Sequence, residues 1–189
     1  MTARADLVER AARRHMFRRA LRAEVTAPSD LAERTGAIMR LALVRSLSLL
    51  RKAGELTAGA GKVEAMVRGG EAAMILHAAE AAPDGVRKIA QARHAAKAAL
   101  GLDIPAESLF TAEEMGLAFG GDHVIHAAVR AGDAGKAFVG RLDRYRSYCG
   151  DGERGAEKAG REASAFGEGT PTDASEGEGT MNELGNPGR

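Results

Sequence analysis

Apolar and polar positions along this chain change period several times, and each change marks an expected element. Over residues 5–23 the period is helical: Leu7, Ala11, Phe17 and Leu21 share one side, and Arg10, Arg14, Arg18 and Arg22 recur at i,i+4 on another, an unbroken arginine stripe. The segment Thr26-Ala27-Pro28-Ser29-Asp30 ends this helix, because Pro28 disfavours helix in the residue before it and Ser29 or Asp30 can accept the next helix's free N–H groups. A second helix is expected over residues 30–52. Its stretch 38–50 is apolar nearly all round, which predicts burial, and Gly54 fits its C-cap.

Beyond Gly54 short apolar runs alternate with helical segments. Strands are expected at residues 56–58, 72–77, near Leu109 and at 123–129; helices at 61–68, 84–100, 112–119 and 133–148. Pro83 and Asp84 open the clearest of these helices and Gly101 closes it. Such alternation predicts an α/β domain built around a layered sheet. After Cys149 the residues are mostly Gly, Glu, Ala, Ser and Thr, and Gly-Glu-Gly-Thr occurs twice. That composition cannot bury enough apolar surface to offset its ordering entropy, so residues 150–189 are expected to form a disordered, solvating tail.

Charge sharpens this division. The net charge of +1 over 189 residues conceals a gradient: residues 1–52 carry 12 Lys or Arg against 5 Asp or Glu, residues 53–149 carry 11 against 12, and residues 150–189 carry 4 against 9. A basic head favours a polyanionic partner, because a concentrated field steers association where a uniform one does not. The single cysteine, Cys149, excludes an internal disulfide framework and a Cys-based zinc site, and fits a reducing, cytoplasmic compartment. The longest apolar stretch, residues 37–50, is interrupted by Arg40 and Arg45 and is too short to span a bilayer; the N-terminus has charges where a secretory signal has an apolar core.

The most specific chemistry lies at Gly59, Ala60, Gly61 and Lys62, where a strand turns into a helix. Glycines there let a phosphate approach backbone N–H groups at the positive end of the helix dipole, although any strand-to-helix junction uses flexible residues. It is not a Walker A loop, since Leu56 stands at the first glycine and Val63 at the magnesium-binding hydroxyl. Nor is it a dinucleotide fingerprint, since Glu64 replaces the third glycine. Five arginines, at 10, 13, 14, 18 and 22, with only Glu9 and Glu24 near them, fit phosphate contact as well as a solvated face. His123 and His126, three apart on an expected strand, should point to opposite faces. His15, His77 and His94 have no partner at ligand spacing, and Glu113 and Glu114 read as solvated surface. No nucleophile–base constellation or metal set supports an enzyme, and no cofactor is implied.

Two stretches resemble known families. Leu49-Leu50-Arg51-Lys52-Ala53-Gly54-Glu55-Leu56-Thr57-Ala58-Gly59, then Lys62-Val63-Glu64-Ala65-Met66-Val67-Arg68-Gly69-Gly70, resembles the ribosomal-protein family that binds RNA kink-turns. Met74-Ile75-Leu76-His77-Ala78, Phe110-Thr111-Ala112-Glu113-Glu114-Met115-Gly116 and His123-Val124-Ile125-His126-Ala127 continue the likeness across residues 43–148. Upstream, Thr2-Ala3-Arg4-Ala5-Asp6-Leu7-Val8-Glu9-Arg10-Ala11 and Met16-Phe17-Arg18-Arg19-Ala20-Leu21 resemble the last helix of the YlxR family of bacterial RNA-binding proteins, some of which carry a kink-turn-binder-like domain in this order.

The first resemblance implies a three-layer α/β/α sandwich with a small mixed sheet, RNA contact at residues 59–62 with Arg51 and Lys52 beside it, and a second contact at Phe119, Gly120, Gly121, Asp122 and His123. This chain departs from it in one respect: where the family reads bases with Gly-x-Asn-Glu-x-x-Lys, it has Gly61 at the Asn, Lys62 at the Glu and Ala65 at the Lys. Backbone N–H groups and one cation remain, chemistry that grips phosphate and shape. The YlxR-like half lacks its early Cys-containing and Gly-Arg-Gly-Ala motifs, which leaves a shortened chain, a misplaced start or a decayed domain. Taken together, the expectation is a basic helix (1–27), a kink-turn-binder-like domain (28–149) and an acidic tail (150–189). The expected role is non-enzymatic binding of structured RNA, ribosomal or of the ribonuclease P type, in translation or RNA processing. The alternative is a protein-interaction module whose basic helix docks an acidic partner.

Overall fold

The computed structural model describes residues 3–150; the expected tail, from residue 151 on, lies outside the described residues. Its helices are α1 (Ala5–Arg13), α2 (Met16–Leu21), α3 (Leu31–Lys52), α4 (Ala60–Arg68), α5 (Pro83–Leu100), α6 (Ala112–Gly116) and α7 (Asp133–Cys149). Its strands are β1 (Leu56–Ala58), β2 (Ala72–Ala78), β3 (Ala106–Phe110) and β4 (His126–Arg130), and a short 3-10 turn, Leu117–Phe119, extends α6.

The four strands order as β1-β4-β2-β3. β4 is antiparallel to both β1 and β2, and β2 is parallel to β3. Side-chain parity divides β2 between two cores. Met74, Leu76 and Ala78 pack with Leu43, Leu47 and Leu50 of α3, Met115 of α6, and Phe138 and Leu142 of α7; Ile75 packs with Val63 and Val67 of α4 and Ile89 and Ala92 of α5. Helices therefore cover both faces, the expected three-layer α/β/α arrangement. Two long-range polar ties fix the outer layers. Arg40 of α3 donates from both terminal guanidinium nitrogens to the two Glu114 carboxylate oxygens, and Glu55 Oε2 accepts the Gly135 N–H at 2.6 Å across the start of α7. A side chain at Gly135 would strike the Arg130 carbonyl, so that position has to stay bare, and one at Gly132 would displace the Glu55 carboxylate.

Several expectations need correction. The helix expected over residues 5–23 is two helices, separated by His15 in the left-handed region (φ 53°). Like charges at i,i+4 oppose one continuous arginine stripe, and α2 buries no residue that would offset that repulsion. The inward residue is Ala12; Leu7 and Leu21 are exposed. Nor is the stretch 38–50 buried all round, since Leu43, Leu47 and Leu50 face the sheet while Ile38 is 68% and Leu49 54% exposed. One helix face meets one sheet face, so a helix in an outer layer keeps its far side in solvent whatever its composition. Asp30 precedes α3, but its carboxylate takes the Arg34 guanidinium (2.7 Å) and not a helix N–H. Glu114 is not simply solvated surface: it completes a capping box with Thr111, and the Arg40 hydrogen bond holds its carboxyl below the ordinary range. The last strand starts three residues later than expected.

Candidate nucleic-acid interface

The turn at residues 59–62 is set by its register in the sheet. Ala58 pairs with Ala127, and the Gly59 N–H then donates to the His126 carbonyl (3.0 Å), closing β1 against β4. Gly59 leaves the strand at φ 101°, a conformation that favours glycine. The chain enters α4 with no side chain capping its first turn. The Val63 N–H returns to the Gly59 carbonyl, so the amides of Ala60, Gly61 and Lys62 are the orphan donors of a nine-residue helix. All four residues are exposed, and the space where Gly59 and Gly61 would carry Cβ atoms is open. Lys62 has no ion-pair partner among the described residues. This is a bare, positively polarised helix start with one free cation.

The second candidate loop lies at the same end of the sheet, because it leads into β4 just before His126. It is pinned from beneath. A Cβ on Gly116 would collide with the Asp122 carbonyl, so the loop lies directly on the Gly116 backbone. The Gly121 N–H bonds to the Gly116 carbonyl (3.0 Å), and the Val124 N–H to the Ala112 carbonyl (3.1 Å). Gly120 and Gly121 take φ 93° and 103°, and they, Asp122 and His123 are exposed. His123 is a loop residue, not a strand residue, because the chain pairs with β2 only from His126 onward. Arg51, near the end of α3, stacks its guanidinium 5.2 Å from the Phe119 ring centre, tying a cation to the foot of this loop. Lys52 beside it is exposed.

Under the Gly59 turn lies a feature that residue spacing did not reveal. His77 and His126 are direct cross-strand partners, 49 residues apart, with Nδ1 atoms 2.9 Å from one another and rings edge to face. One Nδ1 must donate and the other accept, so the pair is satisfied only while at least one ring is neutral. Burial, the neighbouring His126 and Arg93 push the His77 imidazole down to about 4; burial also lowers His126. The rings leave no room above them: a Cβ on Gly85, in the first turn of α5, would stand 2.5 Å from His126 Nε2. His77 thus has a partner, contrary to the reading by spacing. Only the β2–β4 register could have disclosed it. No group of three or more His, Cys, Asp or Glu among the described residues could hold a metal ion, and no helix among them is long and apolar enough to cross a membrane.

The remaining candidates sit on the α1–α2 arm. α1 packs on α3, and no hydrogen bond or ion pair among the described residues links the arm to the turn or the loop. Its cations are not equivalent. Arg10 pairs with Asp6 (3.5 Å), Arg13 with Glu9 and Arg18 with Glu24, whereas Arg14 and Arg22 have no acidic partner among the described residues. Arg19, which lies off the i,i+4 stripe and was not expected to take part, is equally unpaired. It joins His15, Arg18, Arg22, Ala23 and Glu24 around an open basin of about 370 Å³. Arg22, like His15, is left-handed (φ 51°), so the chain turns sharply at both ends of α2.

No protein-family model matches the chain, and no curated protein matches it. Among solved structures, a Bacillus halodurans protein of unknown function is 17% identical, with a TM-score of 0.46 over 53% of this chain and 96% of that one. A 15.5 kD RNA-binding protein of Giardia lamblia is 18% identical, with a TM-score of 0.43 over 58% of this chain and 87% of that one. Both are weak likenesses of backbone trace, and what the Giardia protein binds is a property of that protein.

Proposed function

We propose that this protein binds structured RNA without catalysing a reaction, gripping phosphate and backbone shape. The observation that carries the reading is the convergence of two bare glycine-containing segments, residues 59–62 and 120–123, at one end of the sheet, with Lys62 among the orphan N–H groups of the first and Arg51 at the foot of the second. Phosphate oxygens fit orphan amides and cations, and flat, side-chain-free backbone admits a folded RNA surface that bulky residues would exclude. The sequence resemblance to kink-turn binders supports this end of the sheet as the contact, and the resemblance to the YlxR family supports the arm as an accessory one. On these likenesses the partner is a ribosomal or ribonuclease P-type RNA, met in the cytoplasm during translation or RNA processing. Because Gly61 and Ala65 stand where base readers would be, recognition is of shape.

The test is a titration of a kink-turn RNA with the triple variant Lys62→Ala, Arg14→Ala, Arg18→Ala. Affinity should fall at least tenfold, and the dependence of log K on log salt should flatten by about one for each phosphate that is no longer neutralised. Unchanged affinity and slope would refute the reading. A second reading, docking of an acidic protein, is favoured by one observation: the arm's basin already seats the Glu24 carboxylate against Arg18. Crosslinking in lysate with and without ribonuclease separates the two, since partners that survive digestion favour a protein.

A further inference from the structure

The basin on the arm is built for carboxylates, and this chain carries a concentrated source of them. Three arginines and His15 line it, one arginine is already occupied by Glu24, and Arg19, Arg22 and the adjacent Arg14 have no acidic partner among the described residues. Residues 162–188, outside the described part, contain six Asp or Glu (Glu162, Glu168, Asp173, Glu176, Glu178 and Glu183) and no Lys or Arg. The two lie close along the chain path. α7 ends at Gly150, where a Cβ would sit 3.7 Å from Arg4 Nη2, and Arg4 is the residue from which α1 starts. α1 is nine residues long, or about 14 Å, so the basin lies roughly two helix lengths or less from Gly150. Eleven residues of chain, residues 151–161, separate Gly150 from Glu162, and the twelve peptide steps can reach at most about 40 Å.

We infer that residues 162–188 dock on the Arg14, Arg18, Arg19 and Arg22 face of this arm, occupying it with carboxylates until a stronger polyanion displaces them. The physical case has two parts. The basic arm and the acidic segment attract, and tethering makes their encounter intramolecular, so individually weak ion pairs suffice. The contact is reversible because of its strength: exposed ion pairs contribute little singly and are screened by salt, whereas a phosphate chain offers more charge per unit length. This goes beyond the RNA reading and does not require it, because the contact is within one molecule.

The experiment uses the full chain. Cys149→Ser removes the one native thiol, Ser175→Cys places a nitroxide in the acidic segment, and amide signals are recorded along the arm. Signals of residues 14–23 should lose about half or more of their intensity at low salt and recover near 1 M salt, where the screening length is about 3 Å. They should also recover when Glu162, Glu168, Asp173, Glu176, Glu178 and Glu183 are replaced by Gln or Asn, and when inorganic polyphosphate is added. That carboxylate-neutral chain should bind polyphosphate several-fold more tightly than the native one, through the same arginines. Equal signal loss in native and neutral chains, or none in either, overturns the docking; so does unchanged polyphosphate affinity. Failure here leaves the kink-turn titration untouched, and failure of that titration leaves this contact standing.

Discussion

The end of the sheet and the α1–α2 arm divide between them what a phosphate-binding surface needs. At the sheet end the backbone is fixed by cross-strand bonds, by the loop resting on Gly116 and by the buried histidine pair, yet the cations there are few. On the arm the balance reverses: arginines crowd two short helices, α2 buries nothing, and two non-glycine residues sit in left-handed conformations. Shape without much charge stands beside charge without much shape. Precise placement needs a packed scaffold, and packed scaffold leaves little room for unpaired arginine; long-range attraction needs unpaired arginine, which solvent accommodates best.

The comparison breaks first at Gly116. Gly116→Ala drives a methyl group into the Asp122 carbonyl and should cost about 3 kcal/mol, read as a fall in melting temperature of several degrees. A matching alanine at Gly140, whose Cβ direction is open, should be neutral or slightly stabilising. Next is acid. His77 and His126 both have folded values below the usual 6.5, so the unfolded chain takes up protons first as pH falls. Stability should be full above about pH 7, decline below about pH 6.5 and level off near the His77 value of about 4. The loss is roughly 2 kcal/mol after partial solvent screening, measured by urea midpoints across pH; a profile flat from pH 7 to 4 would contradict the buried pair.

The arm should show the opposite signature. Arg14→Ala, Arg19→Ala and Arg22→Ala together should leave the melting temperature within the range of a 0.5 kcal/mol change, while RNA affinity drops by about tenfold and the salt slope flattens. Stability loss with affinity intact would collapse the distinction. The smallest effect belongs to the stack at the foot of the loop: Arg51→Ala removes a partly exposed cation–π contact worth about 0.5 to 1 kcal/mol. Its double-mutant cycle with Phe119→Leu should return most of that as coupling energy.

Elements bounded by local chemistry were legible in sequence. Gly59, Pro83 and Gly101 mark boundaries because their backbone preferences act on their own neighbours, and the three-layer arrangement followed from the alternation they punctuate together with the family likeness. What escaped depended on partners far away. Val124 and Ile125 look like strand, but the Val124 N–H is taken by the Ala112 carbonyl of α6 and Ile125 meets β2 only through its carbonyl, so the paired ladder begins at His126. The His77–His126 pair exists only through register between segments 49 residues apart. The break at His15 came from what the arm lacks, a surface to pack its second half. The candidate turn and loop were both read from sequence as separate segments, and their meeting at one sheet end is a property of the order β1-β4-β2-β3.

That strand order also sets a timetable. β1 lies at one edge, bonded only to β4, so the Gly59–His126 bond cannot form on a growing chain until some 70 further residues have been made. Domains fold largely as units as they emerge. A nascent chain would therefore expose its arginine arm, whose main packing partner, α3, is made before any strand, well before it possesses the fixed glycine surface. During synthesis the molecule would be attractive to polyanions before it is able to recognise their shape.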